Sequence, residues 1–284
     1  MRKLILLCVV ILFSVQVIQA QMPRDTQGFF NDAMADMERA FDQNDFTPQD
    51  EYFLGRAVSA HLLTQYRPYI GNPELTRYLN LICQAIVLNS VQPAIFKNYY
   101  VMILDSNEFN AFAAPGGFIF ITRRLVELAT SEDMLAAVIA HELVHIMLKH
   151  GVSTIEEMRL MDEMTTMAHR GAVLSGNTEA VTRIMNFYNS VSSVVNLLTM
   201  NGYSQDREFE ADREAVALLA AAGYNPQAYV ELLRLMERVL GPQTGGFYST
   251  HPGTRDRISS VEPVVRRYRV EDTSSYRTNR FRNR

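Results

Sequence analysis

The sequence predicts an α+β fold that is mainly helical, with one small β-sheet set among the helices. Three observations carry that expectation. Apolar residues recur at helical spacing between positions 52 and 86 and again between 134 and 240. Two β-branched and aromatic runs, Tyr-Tyr-Val-Met-Ile-Leu at 99–104 and Phe-Ile-Phe-Ile-Thr at 118–122, interrupt that period. These runs lie together between helical blocks instead of alternating with them, which separates α+β from α/β. At 284 residues and 48% apolar content the chain can bury one substantial core. Its net charge of -4, mixed in sign along the chain, excludes a nucleic-acid binder.

Arg2 and Lys3 precede an apolar run over 4–13, and Val17-Ile18-Gln19-Ala20 offers a small residue for cleavage. Residues 1–20 therefore read as a signal peptide, with an uncleaved anchor as the alternative. Cleavage leaves Cys83 as the one cysteine, so no intramolecular disulfide forms. That fits the periplasm of a Gram-negative bacterium better than a eukaryotic secretory route. Cys83, next to Ile82 in an apolar stretch, reads as a buried small residue.

Residues 21–50 carry Phe29, Phe30, Met34, Met37 and Phe41 at helical spacing and read as an N-terminal helix and linker, with a loop at Thr47-Pro48. The main domain is expected over 50–262. It begins with a helix marked by Tyr52, Leu54, Val58, Leu62 and Leu63. A second opens at Pro73, with Leu75, Tyr78, Leu79, Ile82 and Ile86 on one face. Between the two strand-like runs lies Asn110-Ala111-Phe112-Ala113, followed by the turn signal Pro115-Gly116-Gly117. The next helix, capped by Thr130 or Ser131 and ended by Gly151, is nearly all apolar from 134 to 150 and must lie in the core. Methionines at 158, 161, 164 and 167 mark a helical stretch over 153–200, read as adaptable core before a substrate-gripping surface. Helices over 204–222 and 226–240 follow, and beyond Gly241-Pro242 the chain reads as loop. Residues 266–284 hold seven Arg against Glu271 and Asp272. They read as a solvated, disordered basic tail, compatible with peripheral contact to acidic lipid headgroups.

The chemistry sits on the apolar helix. His141 and His145, four residues apart, share one helix face, so their imidazoles can converge on a single ion. Glu142 projects beside them, where it can take a proton from a water acidified by zinc. Two imidazoles and a carboxylate on a buried helix are costly without partners, and a metal removes that cost. His150, five residues past His145, points away from this face on a continuous helix and suits the helix end. A third ligand is better supplied by Glu208, with Asp212 one turn on to hydrogen-bond a ligand imidazole, while Glu210 faces elsewhere.

His-Glu-Leu-Val-His at 141–145, Glu-Phe-Glu-Ala-Asp at 208–212 and His-Pro-Gly-Thr-Arg-Asp-Arg-Ile at 251–258 together resemble the three signatures of one family. It is the zinc metallopeptidase family of HtpX, BepA, LoiP, the CAAX prenyl proteases and mitochondrial Oma. The resemblance spans about residues 50–258. It implies a gluzincin-type domain holding one zinc per chain through His141, His145 and Glu208, with Glu142 as base and Asp212 behind a ligand. His251 matches a histidine that either occupies the zinc's open position or stabilises the oxyanion. Arg257 matches an arginine that either holds developing negative charge or forms a structural ion pair. Asn110, Ala111, Phe112 and Ala113 resemble a substrate-side edge strand, which would accept an extended, unfolded polypeptide by strand addition. The implied function is zinc-dependent endoproteolysis of unfolded or misassembled envelope proteins. The alternative is a latent or chaperone-like assembly factor plugged by His251.

Overall fold

A Thr-Pro pair opens a helix instead of forming a loop. The structure is a computed structural model and describes residues 46–155, 191–240, 251, 253–269 and 274–284. The expected signal peptide, the N-terminal helix up to residue 45 and most of the Met-rich stretch lie outside the described residues. Thr47 and Asp50 form a reciprocal capping box, and Pro48 takes the first-turn position that needs no N–H, so the helix starts at Pro48.

Helix α1 (Pro48–Gln65) is followed by α2 (Pro73–Val87), strands β1 (Tyr100–Leu104) and β2 (Ala111–Ala114), a 3-10 turn at Pro115–Gly117 and β3 (Phe118–Thr122). Then come α3 (Arg123–Leu128), α4 (Glu132–Met147), a π-helical turn at Leu197–Asn201, α5 (Gln205–Ala221), α6 (Gln227–Leu240), α7 (Thr254–Val265) and α8 (Ser274–Arg282). The mainly helical α+β class predicted by the sequence is the one observed. Asn72, Ser131 and Ser204 cap α2, α4 and α5 through side-chain oxygens, as their residue types favour.

The three strands run in the order β1–β3–β2, with β1 parallel and β2 antiparallel to β3. Side-chain alternation splits the sheet into two faces. Val101, Ile103, Ala111, Ala113, Ile119 and Ile121 join the helical core of α2, α4, α5 and α6. Phe112 and Phe118 on the other face meet Tyr66 and Tyr52 from α1 and its C-cap. Helix α1 also lies tight on the 3-10 turn: a Cβ on Gly55 would stand 1.8 Å from the Pro115 carbonyl oxygen. Gly116, at φ 71°, would meet the Tyr52 backbone at 2.4 Å.

The two sheet edges are treated differently. On β1 the Asn80 amide bonds both the N–H and the carbonyl of Val101, and the Tyr69 N–H bonds the Ile103 carbonyl. That edge is closed. On β2 the Asn110 carbonyl accepts from Thr122, so antiparallel alternation turns the backbone of Ala111 and Ala113 outward, with Asn110 Oδ1 taking the Ala111 N–H.

Two expectations are corrected at the C-terminal side. The stretch after residue 242, read as loop, contains α7, whose Arg257, Val261 and Val265 are buried against α5 and α6. The basic tail, read as solvated and disordered, contains α8. Arg277 is buried and pairs with Asp133 at 2.8 Å, and Arg280 bonds Glu132. Composition alone counts these arginines as free charge, but their acidic partners stand at the start of a buried helix 144 and 148 residues away. Arg277→Ala should lower unfolding stability by about 3 kcal/mol by leaving Asp133 buried with less compensation, measured by urea denaturation.

Candidate metal centre

Helix α4 is buried from Glu132 to Ile146, so each of its polar side chains needs a partner. His141 and His145 face the first turn of α5, where Glu208 is fully buried. His141 Nε2 and His145 Nε2 stand 3.1 Å apart, and the two Glu208 oxygens lie 3.5 Å and 3.4 Å from them respectively. For a tetrahedral ion with bonds of about 2.0–2.1 Å, neighbouring ligand atoms lie about 3.3–3.4 Å apart. The spacing thus fits a zinc-sized ion at the common point of these groups. Two imidazoles and a carboxylate are also the donor types zinc takes. Among the described residues, Glu208 Oε1 is a buried oxygen that accepts no hydrogen bond, as a group reserved for a cation would be.

His251 is drawn into the same cluster. Its Nδ1 lies 2.6 Å from Glu208 Oε2, and His141, Glu208 and His251 each offer a ligand atom within 4.8 Å of the others. Four groups of this chain could therefore hold the ion.

The electrostatics favour positive charge at the centre. Burial would raise the Glu208 carboxyl, but the imidazoles of His251, His141 and His145 outweigh it and hold it well below the usual range. Burial and the Arg257 charge depress the His141 imidazole, yet Asp212 and Glu208 lift it to about 9. His145 is pulled down to about 3, chiefly by burial, and stays neutral. Glu142 is buried beside the cluster, and burial, reinforced by the Glu208 charge, raises its carboxyl to about 7.

Asp212 stands behind His141. Its Oδ1 lies 3.2 Å from His141 Nδ1 and accepts from the Tyr229 hydroxyl at 2.5 Å, while the same hydroxyl lies 2.9 Å from His141 Nδ1. Arg257 is buried and places Nε 2.9 Å and one terminal nitrogen 2.6 Å from the two Asp212 oxygens. These bonds favour the ion-pair alternative for Arg257 over direct contact with a reacting group. The expected edge strand begins one residue later than its motif, at Ala111, and all four of its residues are buried. A pocket of about 10 Å³ at its end is lined by Ala113, Ala114, Pro115, His145 and Tyr203 among others. A cavity of about 970 Å³ lies over β1 and is lined by Arg56, Asn80, Tyr100 and Phe120 among others, away from these groups.

A model of peptidase family M48 matches residues 73–265 of this sequence. The chain belongs to peptidase family M48. That span takes in His141, Glu142, His145, Glu208, Asp212, Tyr229, His251 and Arg257, while α1 and α8 lie outside it. Beta-barrel assembly-enhancing protease of Escherichia coli is 25% identical over 209 residues, covering 70% of this chain and 42% of that protein. Mitochondrial metalloendopeptidase OMA1 of Schizosaccharomyces pombe is 26% identical over 257 residues, covering 89% and 68%. A protease HtpX homologue of Salinibacter ruber is 27% identical over 194 residues, covering 59% and 68%. The chain thus spans under half the length of the beta-barrel assembly-enhancing proteases it matches.

Three residues beside these groups escaped the sequence reading or were misplaced by it. Tyr229 lies on α6, where its spacing marks it only as core. Tyr203 stacks on the His145 ring at 4.4 Å and 18°. His150, expected to point away from the His pair, instead sets Nδ1 2.8 Å from His145 Nδ1. Helix α4 stops at Met147, and Lys149 at φ 56° turns the chain back, so helical counting no longer applies at residue 150. Asp212→Asn should destabilise the protein by about 3–5 kcal/mol by leaving the Arg257 guanidinium buried without its counter-charge. The same change in an Arg257→Met background should cost less, a non-additivity read by guanidinium unfolding.

Proposed function

We propose that this chain is a zinc-dependent endopeptidase of the periplasm that hydrolyses unfolded or misassembled envelope proteins. The observation that carries this reading is the spacing of His141 Nε2, His145 Nε2 and the Glu208 carboxylate at 3.1–3.5 Å, with Glu142 buried beside them. Zinc bound by these groups supplies Lewis acidity, which acidifies water and polarises a peptide carbonyl. Glu142, buried beside these groups, would take the proton of the attacking water and return it to the leaving amine. Asp212, held by Arg257 and Tyr229, keeps the His141 Nδ1 proton in place so that Nε2 presents its lone pair.

The substrate reading rests on the sheet edges. With β1 closed by Asn80 and Tyr69, β2 is the edge whose Ala111 and Ala113 backbone turns outward, and His145 lines a small pocket together with Ala113 and Ala114 at its end. An extended polypeptide added there is held by main-chain bonds with little sequence selectivity, which suits unfolded chains. Envelope proteins are proposed from the relatives named for β-barrel assembly and from the export signal read at residues 1–20. No described helix is long and apolar enough to cross a membrane.

A second reading, a latent or chaperone-like assembly factor, is favoured by one observation. His251 lies 2.6 Å from Glu208, close enough to serve as a fourth ligand and close the site to water. Purified wild type should carry about one zinc and cleave casein, lose both on chelation, and regain both on zinc addition. Glu142→Gln should keep the zinc and lose cleavage by at least about a hundredfold. Undiminished cleavage by Glu142→Gln would sink the peptidase mechanism. A rise in cleavage with His251→Ala identifies His251 as a plug, whereas zinc without cleavage in every variant supports the assembly factor.

A further inference from the structure

Of the acids Glu208, Glu210 and Asp212 near the start of α5, the proposed function uses only two, Glu208 and Asp212. The third, Glu210, approaches His150 Nε2 at 3.5 Å. His150 is buried, and its Nδ1 is 2.8 Å from Nδ1 of His145. An imidazole that presents its Nε2 lone pair to a metal carries its proton on Nδ1 and must donate it. Among the described residues, the acceptor at that position of His145 is His150.

We propose that His150 is the positioning residue for His145, accepting its Nδ1–H bond and being oriented in turn by Glu210. This rests on the reading of His145 as a zinc ligand. The two ligand histidines then have unlike supports: His141 leans on a carboxylate held by an arginine, and His145 leans on a second imidazole.

The local backbone is built for this contact. On a continuous helix His150 would stand about 140° around from His145. Lys149 instead adopts φ 56°, a conformation that L residues enter at some expense, and its ammonium is tied to Glu51 of α1. The reversal brings His150 under His145, ring centroids 4.9 Å apart and 69° inclined. Thr154 donates to the His150 carbonyl at 2.8 Å and is itself held by Arg207, which fixes the turn that carries the ring. Tyr203 stacks on His145 and lies 5.6 Å from His150, so the pair is clamped from a third side.

With an acceptor on Nδ1, the neutral His150 holds its proton on Nε2, facing Glu210. Zinc affinity measured by competition with a chromophoric chelator tests the assignment in wild type, His150→Phe and His150→Asn. The phenylalanine fills the ring's space but accepts nothing, and should weaken zinc binding about 10–100-fold. The asparagine amide oxygen can stand where Nδ1 does, and should keep affinity within about threefold of wild type if acceptance is what matters. Equal affinity for wild type and His150→Phe would overturn the proposal, as would an equal loss in both variants. Nitrogen-detected NMR of zinc-loaded wild type serves where a variant fails to fold. A proton on Nδ1 of His145 and on Nε2 of His150 is expected, and the reverse tautomer at His150 refutes the assignment. A wild type that binds no zinc would instead refute the metal reading beneath it, a result visible in that arm alone.

Discussion

Helix α4 is buried almost from end to end and yet carries Glu132, Asp133, His141, Glu142 and His145, and much of the surrounding fold is arranged around that conflict. Each of these groups would be expensive in an apolar interior without a partner. Tyr78, Tyr224 and Arg280 converge on Glu132, and Asn225 and Arg277 on Asp133. Glu208 meets both imidazoles from α5. The helices on either side are thus sources of compensation as well as apolar cover. A buried charged helix of this kind is weak evidence for stability by itself, since apolar replacements can pack as well. Its retention is better explained by chemistry.

The two ends of α4 answer to different demands. At the N-terminal end, acids near the positive end of the helix dipole are met by arginines, and no reaction is asked of them. At the other end, the partners leave lone pairs directed at a common point. Helix α5 makes that arrangement by a simple device. Glu208 and Asp212, one turn apart, face α4 together, so one oxygen pair meets the imidazole Nε2 atoms and the other meets an Nδ1 from behind. Helices α6 and α7 close the rear with Tyr229 and Arg257.

What could be read from the sequence was what depends on local periodicity. The shared face of His141 and His145, the pairing of Glu208 with Asp212, and a cap at Thr130 or Ser131 all follow from helical geometry over a turn or two. The two strand runs and their place between helices were equally legible, and so was the α+β class. Features that depend on distant segments were not. Tyr229 looks like any aromatic on an amphipathic helix until α6 is packed against α5. Arg277 looks like solvated charge until α8 is packed against Asp133. His150 misled for a different reason, since a lysine in the left-handed region breaks the helical count and no glycine announces it. Thr47-Pro48 misled because the same dipeptide chemistry serves loops and helix starts.

The contacts from α8 have a consequence for how the molecule reaches its native state. Asp133 and Arg277 are separated by 144 positions, and Glu132 and Arg280 by 148. Loops of that span close late, because their entropy must be overcome before the contact returns anything. Until they close, the acidic end of α4 resists entering the core, and the helix that bears the histidines is held back with it. Assembly of the His141–Glu208 cluster is therefore coupled to ring closures that span 144 and 148 positions. Partly folded chains would display an incomplete site, so cleavage competence and completed folding arrive together.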